Sequence, residues 1–261
     1  MDIILSLNDC LDEIAEVAAC LWDKGWAERN AGNLTMNVTG AAGLDDIAGN
    51  QAQPHVHSIG WALPALSGQY FYCKSAGRRL RDVARQPLQN GCIIHIMPSG
   101  EGYEIVWGHP MTPTSELPSH LMAYQSLAEA SIPCRAMLHT HPTELVALSH
   151  SSRLLGDGSL SRLLWGMIPE VKMFCPQGVR VLPYMRPGSH ELACATAEAI
   201  ASHDVVLWAR HGAVAAGESL GDAFDKIDVL NKAAQIYQCA RAFGFEPEGL
   251  SDTQISELTN I

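Results

Sequence analysis

The sequence predicts an α/β fold in which helices cover a mostly antiparallel sheet. Two observations carry this. Apolar or alternating runs of strand length come in hairpin-like pairs set between helical stretches, which favours antiparallel pairing. The chain has 261 residues, 47% of them hydrophobic, with a mean hydropathy of +0.02, enough to bury a sizeable core without staples. That length suits one large domain or two small ones, and no repeat, low-complexity tract or convincing linker divides it.

The elements follow in order. Leu7, Leu11, Ile14, Ala18 and Leu21 recur at helical spacing, and this first helix ends near Gly25. A Gly/Asn turn at Asn30–Asn33 leads into an alternating strand, Leu34–Val38. Residues 40–68, rich in Gly, Ala, Pro and Gln, read as a long irregular connection. Tyr70–Cys73 is a strand, and Cys92–Ile96 and Tyr103–Trp107 form an antiparallel pair across the turn at Ser99–Gly102. Pro113–Pro118 starts a helix that Thr114 or Ser115 can cap, with Pro118 in its first turn. Arg135–Leu138 is a strand, and helices follow over about 143–165. Val171–Phe174 and Val179–Leu182 read as a second sheet segment. A helix over Ser189–Ser202 leads to an apolar strand that begins at Val205 and meets a glycine at Gly212. The last long helix starts at Ser219, with Asp222 as a weak capping box.

The net charge of −11 argues against wholesale binding to nucleic acid or an anionic membrane. An anionic substrate would need a local basic pocket. Eight cysteines, none in C-x-x-C and most in apolar runs, read as buried thiols of a reducing compartment. Asp9, Asp12, Glu13 and Glu16 in the first helix argue against a signal peptide or membrane span, so a cytoplasmic, enzyme-like protein is expected.

The chemistry concentrates at Leu138-His139-Thr140-His141-Pro142. Side chains alternate along a strand, so His139 and His141 share a face, a poor way to fill a core and a good way to hold a metal. His211, in Arg-His-Gly-Ala, would add a third imidazole and leave a coordination position open, as in catalytic zinc sites. The bland alternative is that His211 caps a strand end. Glu116, at a helix N-terminus, is the acid/base candidate, against a plain first-turn glutamate. Pairing Glu116 with His120 as a local metal site ranks lower. A second H-x-H, His55 and His57, reads as solvated loop histidines. The turn Lys74-Ser75-Ala76-Gly77-Arg78-Arg79, with Arg81 and Arg85, is the strongest basic cluster and could turn backbone N–H groups and cations toward a phosphate. Arg81 and Arg85 read instead as a solvated helix face. Asn30, Gly32 and Asn33 form a second polar turn suited to an anion.

Together, Gly-Trp-x-Glu-Arg-Asn-x-Gly-Asn-Leu-Thr at 25–35, Pro-Thr-Ser-Glu-Leu-Pro-x-His at 113–120, Leu-His-Thr-His-Pro at 138–142 and Leu-Trp-x-Arg-His-Gly at 207–212 resemble the zinc-dependent class II sugar-phosphate aldolases. The resemblance runs in order from the first helix to the last. It implies a single domain over 1–261, an α/β/α sandwich on a mostly antiparallel sheet, and a homotetramer with sites between subunits. It implies one zinc per subunit on His139, His141 and His211, with Glu116 as acid/base. Asn30, Gly32, Asn33, Ser75, Gly77 and Ser115 would bind the phosphate-bearing half of the substrate. Glu170 would act near the aldehyde half, in a neighbouring subunit's site. Gly-Trp-x-Glu-Arg-Asn and Trp-x-x-x-Pro-Glu at 165–170 favour the branch acting on L-rhamnulose 1-phosphate over those acting on fuculose 1-phosphate or ribulose 5-phosphate. The expected reaction is retro-aldol cleavage to dihydroxyacetone phosphate and L-lactaldehyde. The alternatives are a related sugar-phosphate lyase or epimerase of the fuculose-phosphate or ribulose-phosphate type, a zinc hydrolase and a non-catalytic zinc module. The phosphate turn departs from the family pattern Gly-Ser/Thr-Gly-Lys: here Ser75-Ala76-Gly77-Arg78 moves the hydroxyl by one place and lacks a glycine.

Overall fold

The computed structural model describes residues 5–48, 56–156 and 158–258. Their strands are β1 (Asn33–Asn37), β2 (Val56–Ser58), β3 (Tyr70–Lys74), β4 (Gly91–Ile96), β5 (Gly102–Trp107), β6 (Ala136–Thr140), β7 (Val179–Leu182), β8 (Val205–Trp208) and β9 (Gly212–Gly217). They form one sheet in the order β2-β5-β4-β3-β1-β6-β9-β8-β7. Every neighbouring pair is antiparallel except β7 with β8. The expected mostly antiparallel sheet is therefore present.

The helices are α1 (Leu7–Asp23), α2 (Leu44–Ala48), α3 (Leu80–Val83), α4 (Pro87–Asn90), α5 (Leu117–Glu129), α6 (Thr143–Leu148), α7 (Ser159–Trp165), α8 (Pro169–Phe174), α9 (His190–Ile200), α10 (Leu220–Ala242) and α11 (Asp252–Glu257). They cover both faces of the sheet. One face carries α1, α7 and α10, whose Ile14, Leu164 and Ile227 pack with Leu34 and Leu207. The other carries α5 and α9, whose Leu121 and Leu192 pack with Phe71, Ile94 and Val206. Local chemistry sets the helix starts. Ser6 and Asp9 form a reciprocal capping box on α1, and the Ser189 and Ser219 hydroxyls accept from the backbone N–H groups of Leu192 and Asp222 at the starts of α9 and α10.

The structure corrects several expectations. Val171–Phe174 is helical, not a strand, because Pro169 occupies the first turn of α8 and pre-sets a helical φ. The stretch read as irregular holds α2 and β2, and His57 belongs to β2, stacked on Tyr103 with ring centroids 5.1 Å apart. It is not a solvated loop histidine; His55 lies outside the described residues. All eight cysteines are free thiols, but Cys239 is exposed rather than buried. Among the described residues no helix is long and apolar enough to cross a membrane.

Candidate metal and substrate site

The site forms where β1, β6 and β9 lie side by side. His139 faces Asn33 on β1 and Val214 on β9. His141 follows β6 directly, its backbone N–H donating to the Trp26 carbonyl at 3.0 Å. His211 sits in the tight turn between β8 and β9, where Arg210 adopts a positive φ of 63° and donates its N–H to Ser149 Oγ at 2.7 Å. The turn needs Gly212. A Cβ there would stand 2.5 Å from the Thr140 carbonyl oxygen and 2.7 Å from His139 Cε1. One ligand-capable nitrogen from each of His139, His141 and His211 lies within 4.8 Å of the others.

The surroundings fix which nitrogen of two of these rings is free. His139 Nδ1 lies 3.1 Å from the Ala213 carbonyl and therefore carries the proton donated to it. Its Nε2 is buried with no hydrogen-bond partner. His141 Nδ1 donates to Glu28 Oε1 at 2.7 Å, a carboxylate–histidine arrangement that leaves Nε2 free to coordinate a metal. His211 Nδ1 is also buried and unpartnered. Burial, then the charges of His211 and His141, push the His139 pKa well below its ordinary value, and burial lowers that of His211. Neutral imidazoles are what a metal requires. Three converging rings, two of them with orphaned buried nitrogens, fit a divalent cation held at one open-sided site.

Glu116 completes the centre. It occupies the position just before α5 without a side-chain bond to the helix, and is buried at 6% exposure. Its Oε2 accepts from Asn33 Nδ2 at 2.6 Å and lies 3.4 Å from His139 Nε2, while Oε1 lies 3.5 Å from His211 Nε2. Neither Thr114 nor Ser115 is the cap residue of α5, although Thr114 Oγ1 accepts from the Glu116 N–H at 3.3 Å. His120 stays out of the cluster. It is fully buried, with Nδ1 2.9 Å from Thr35 Oγ1, and burial lowers its pKa to about 4.

A cavity of about 150 Å³ joins these groups to the two polar turns. Asn30, Gly32, Asn33, Gly77, Ser115, Glu116 and the three histidines all line it. One expected residue does not. Ser75 is buried beside Cys92, on the other side of its strand from Lys74, and Lys74 lines the cavity instead. A hydroxyl one place along a strand points to the opposite face. Glu170 is exposed in the first turn of α8 and borders a separate cavity of about 1010 Å³, together with Phe174 and Asp222. Nothing in the sequence assigns a role to Glu28, which orients His141, or to Trp208, whose ring stacks 4.5 Å from His139 and 5.2 Å from His211. The Glu28–His141 and Trp208–His139 contacts join distant parts of the chain, which leaves no local pattern.

The profile of the class II aldolase and adducin N-terminal domain family matches residues 12–238. A rhamnulose-1-phosphate aldolase of Bacteroides thetaiotaomicron is 46% identical over 249 residues, covering 95% of this chain and 92% of that protein. One of Mannheimia succiniciproducens is 37% identical over 223 residues, covering 83% and 80%. Among solved structures, a sugar-phosphate aldolase from Thermotoga maritima superposes with a TM-score of 0.75 at 32% identity, covering 93% of this chain and 99% of that one.

Proposed function

This chain belongs to the class II aldolase family, and we propose that it cleaves L-rhamnulose 1-phosphate reversibly to dihydroxyacetone phosphate and L-lactaldehyde. The reading rests on the Glu116 carboxylate, held by Asn33 within 3.5 Å of two of three convergent imidazoles. The 46% identity to a rhamnulose-1-phosphate aldolase supports the choice of sugar. His139, His141 and His211 would hold one divalent cation, and three imidazoles with an open position suit zinc. Such a cation, when bound, supplies Lewis-acid stabilisation of charge on the ketose oxygens.

The chain's own groups do the rest. The Glu116 carboxyl moves the proton at C3, and its hydrogen bond from Asn33 fixes which oxygen faces the reacting carbon. Gly32, Gly77 and Ser115 bind the phosphate through backbone N–H groups that donate to no other protein group among the described residues. Glu170, remote from the histidines, acts on the aldehyde half in a neighbouring subunit's site of a homotetramer. The free thiols suit a cytoplasmic location.

A coupled assay for dihydroxyacetone phosphate tests the reading. Zinc-loaded protein releases it from rhamnulose 1-phosphate, chelator abolishes release, and added zinc restores it. Fully metal-loaded protein that releases none, or that yields only an epimerised sugar phosphate, overturns the proposal.

A further inference from the structure

Among the described residues, Lys74 is the one lysine or arginine lining the cavity, in a chain of net charge −11. It ends β3, which lies between β1 and β4, and its residue is only 2% exposed. An ammonium has three N–H donors. Here Nζ uses one, to the Asn30 carbonyl at 3.0 Å. Among the described residues no carboxylate lies within the 4.0 Å of an ion pair with it. Glu116, the one acid with a resolved influence on it, is bonded to Asn33 instead. A buried cation with one neutral partner is costly unless something else completes it.

The nearby arginines do not serve. Arg78 and Arg79 are exposed outside the cavity, and Arg81 lies over the Trp22 ring at 5.1 Å. The groups that share the cavity with Lys74 are the donor N–H groups of Gly32, Gly77 and Ser115. Burial lowers the Lys74 pKa to about 8, opposed by Glu116, so the group is charged at neutral pH.

We propose that the Lys74 ammonium binds the phosphate of the substrate, filling the place that the Ser75 hydroxyl, on the opposite face of the strand, cannot reach. The inference rests on the sugar-phosphate reading above and names the group that recognises the anion. Two oxygens of the phosphate accept from the free Nζ protons, and the backbone N–H groups of the two turns close around the remaining oxygens. No bond is made or broken.

Inorganic phosphate is the probe. Zinc-loaded wild-type protein binds it in calorimetry, and Lys74→Met weakens binding at least tenfold, with metal content unchanged. Lys74→Arg recovers part of that affinity. A second measurement needs no variant: a structure of the wild-type protein with phosphate shows a phosphate oxygen within hydrogen-bond distance of Lys74 Nζ. Equal phosphate affinity in Lys74→Met, or a phosphate bound in the cavity away from Nζ, overturns the proposal. The cleavage assay is read separately. Phosphate held by Lys74 without cleavage sinks the function and spares this inference. Cleavage with an unchanged Michaelis constant in Lys74→Met does the reverse.

Discussion

At one end of the cavity, three imidazoles converge from β6 and the β8–β9 turn, their ligand nitrogens within 4.8 Å of one another. At the other, two turns offer backbone N–H groups and one ammonium. The first end depends on side-chain identity at a few rigid positions. The second depends on backbone conformation and on which side of a strand a residue falls. A substitution at the first end should remove a function outright. At the second, one polar group can replace another, as Lys74 stands in the cavity where a hydroxyl was expected.

This contrast can be broken by experiment, most severely at the metal end. His141→Ala should lose zinc and all measurable turnover, with an affinity loss beyond the ~10–100-fold typical of a group one step further from the metal. Metal analysis checks it, and a fully loaded variant would remove His141 from the ligand set. Glu116→Gln should keep its zinc and lose turnover by ~10²–10⁴, the usual worth of a single acid/base. Steady-state rates at matched metal content decide this, and near-normal turnover contradicts the role.

Glu28→Gln comes next. Loss of the carboxylate behind His141 Nδ1 should lower zinc affinity by ~10–100-fold while leaving phosphate binding intact. Competition with a chromophoric chelator measures the first and calorimetry the second; a shared loss would mean that the two ends are not independent.

A different effect, away from both ends, is pH-dependent stability of the metal-free protein. The His120 pKa is lowered by burial to about 4 from 6.5, so the unfolded chain takes up that proton first as pH falls. Stability is then fully present above pH 6.5 and declines toward pH 4, by at most about 3 kcal/mol from this residue. Thermal melts of wild-type and His120→Gln protein across that range check it. A drop of equal size in both assigns the effect elsewhere.

The metal end is legible in the sequence because strand alternation is a rigid rule: His139 and His141 must share a face. His211 and Glu116 need the long-range motif set, since nothing local brings residues 116, 139 and 211 together. The phosphate turn is harder to read. Its residues follow a strand end, where alternation separates Ser75 from Lys74 only if the extended backbone continues one residue past β3. In the fold, Val171–Phe174 is ambiguous because a short β-branched and apolar run suits either period, and the proline before it carries the deciding signal. β2 escapes detection because three residues paired to β5 at a sheet edge have no period to find.

The pairing of β6 with β9 also sets a timetable. His139 and the Ala213 carbonyl that orients it are 74 positions apart. At roughly 5–20 residues per second, a growing chain carries His139 and His141 for roughly 4–15 s before residue 213 is made. During that interval a cation meets a two-histidine strand end with neither the third ligand nor the orienting carbonyl, and such a fragment ranks metals by raw affinity, copper above zinc. Geometric selection begins only when β9 docks. If the three histidines hold a metal, the supply of free ions during synthesis would bear, alongside the finished pocket, on which ion meets the chain first.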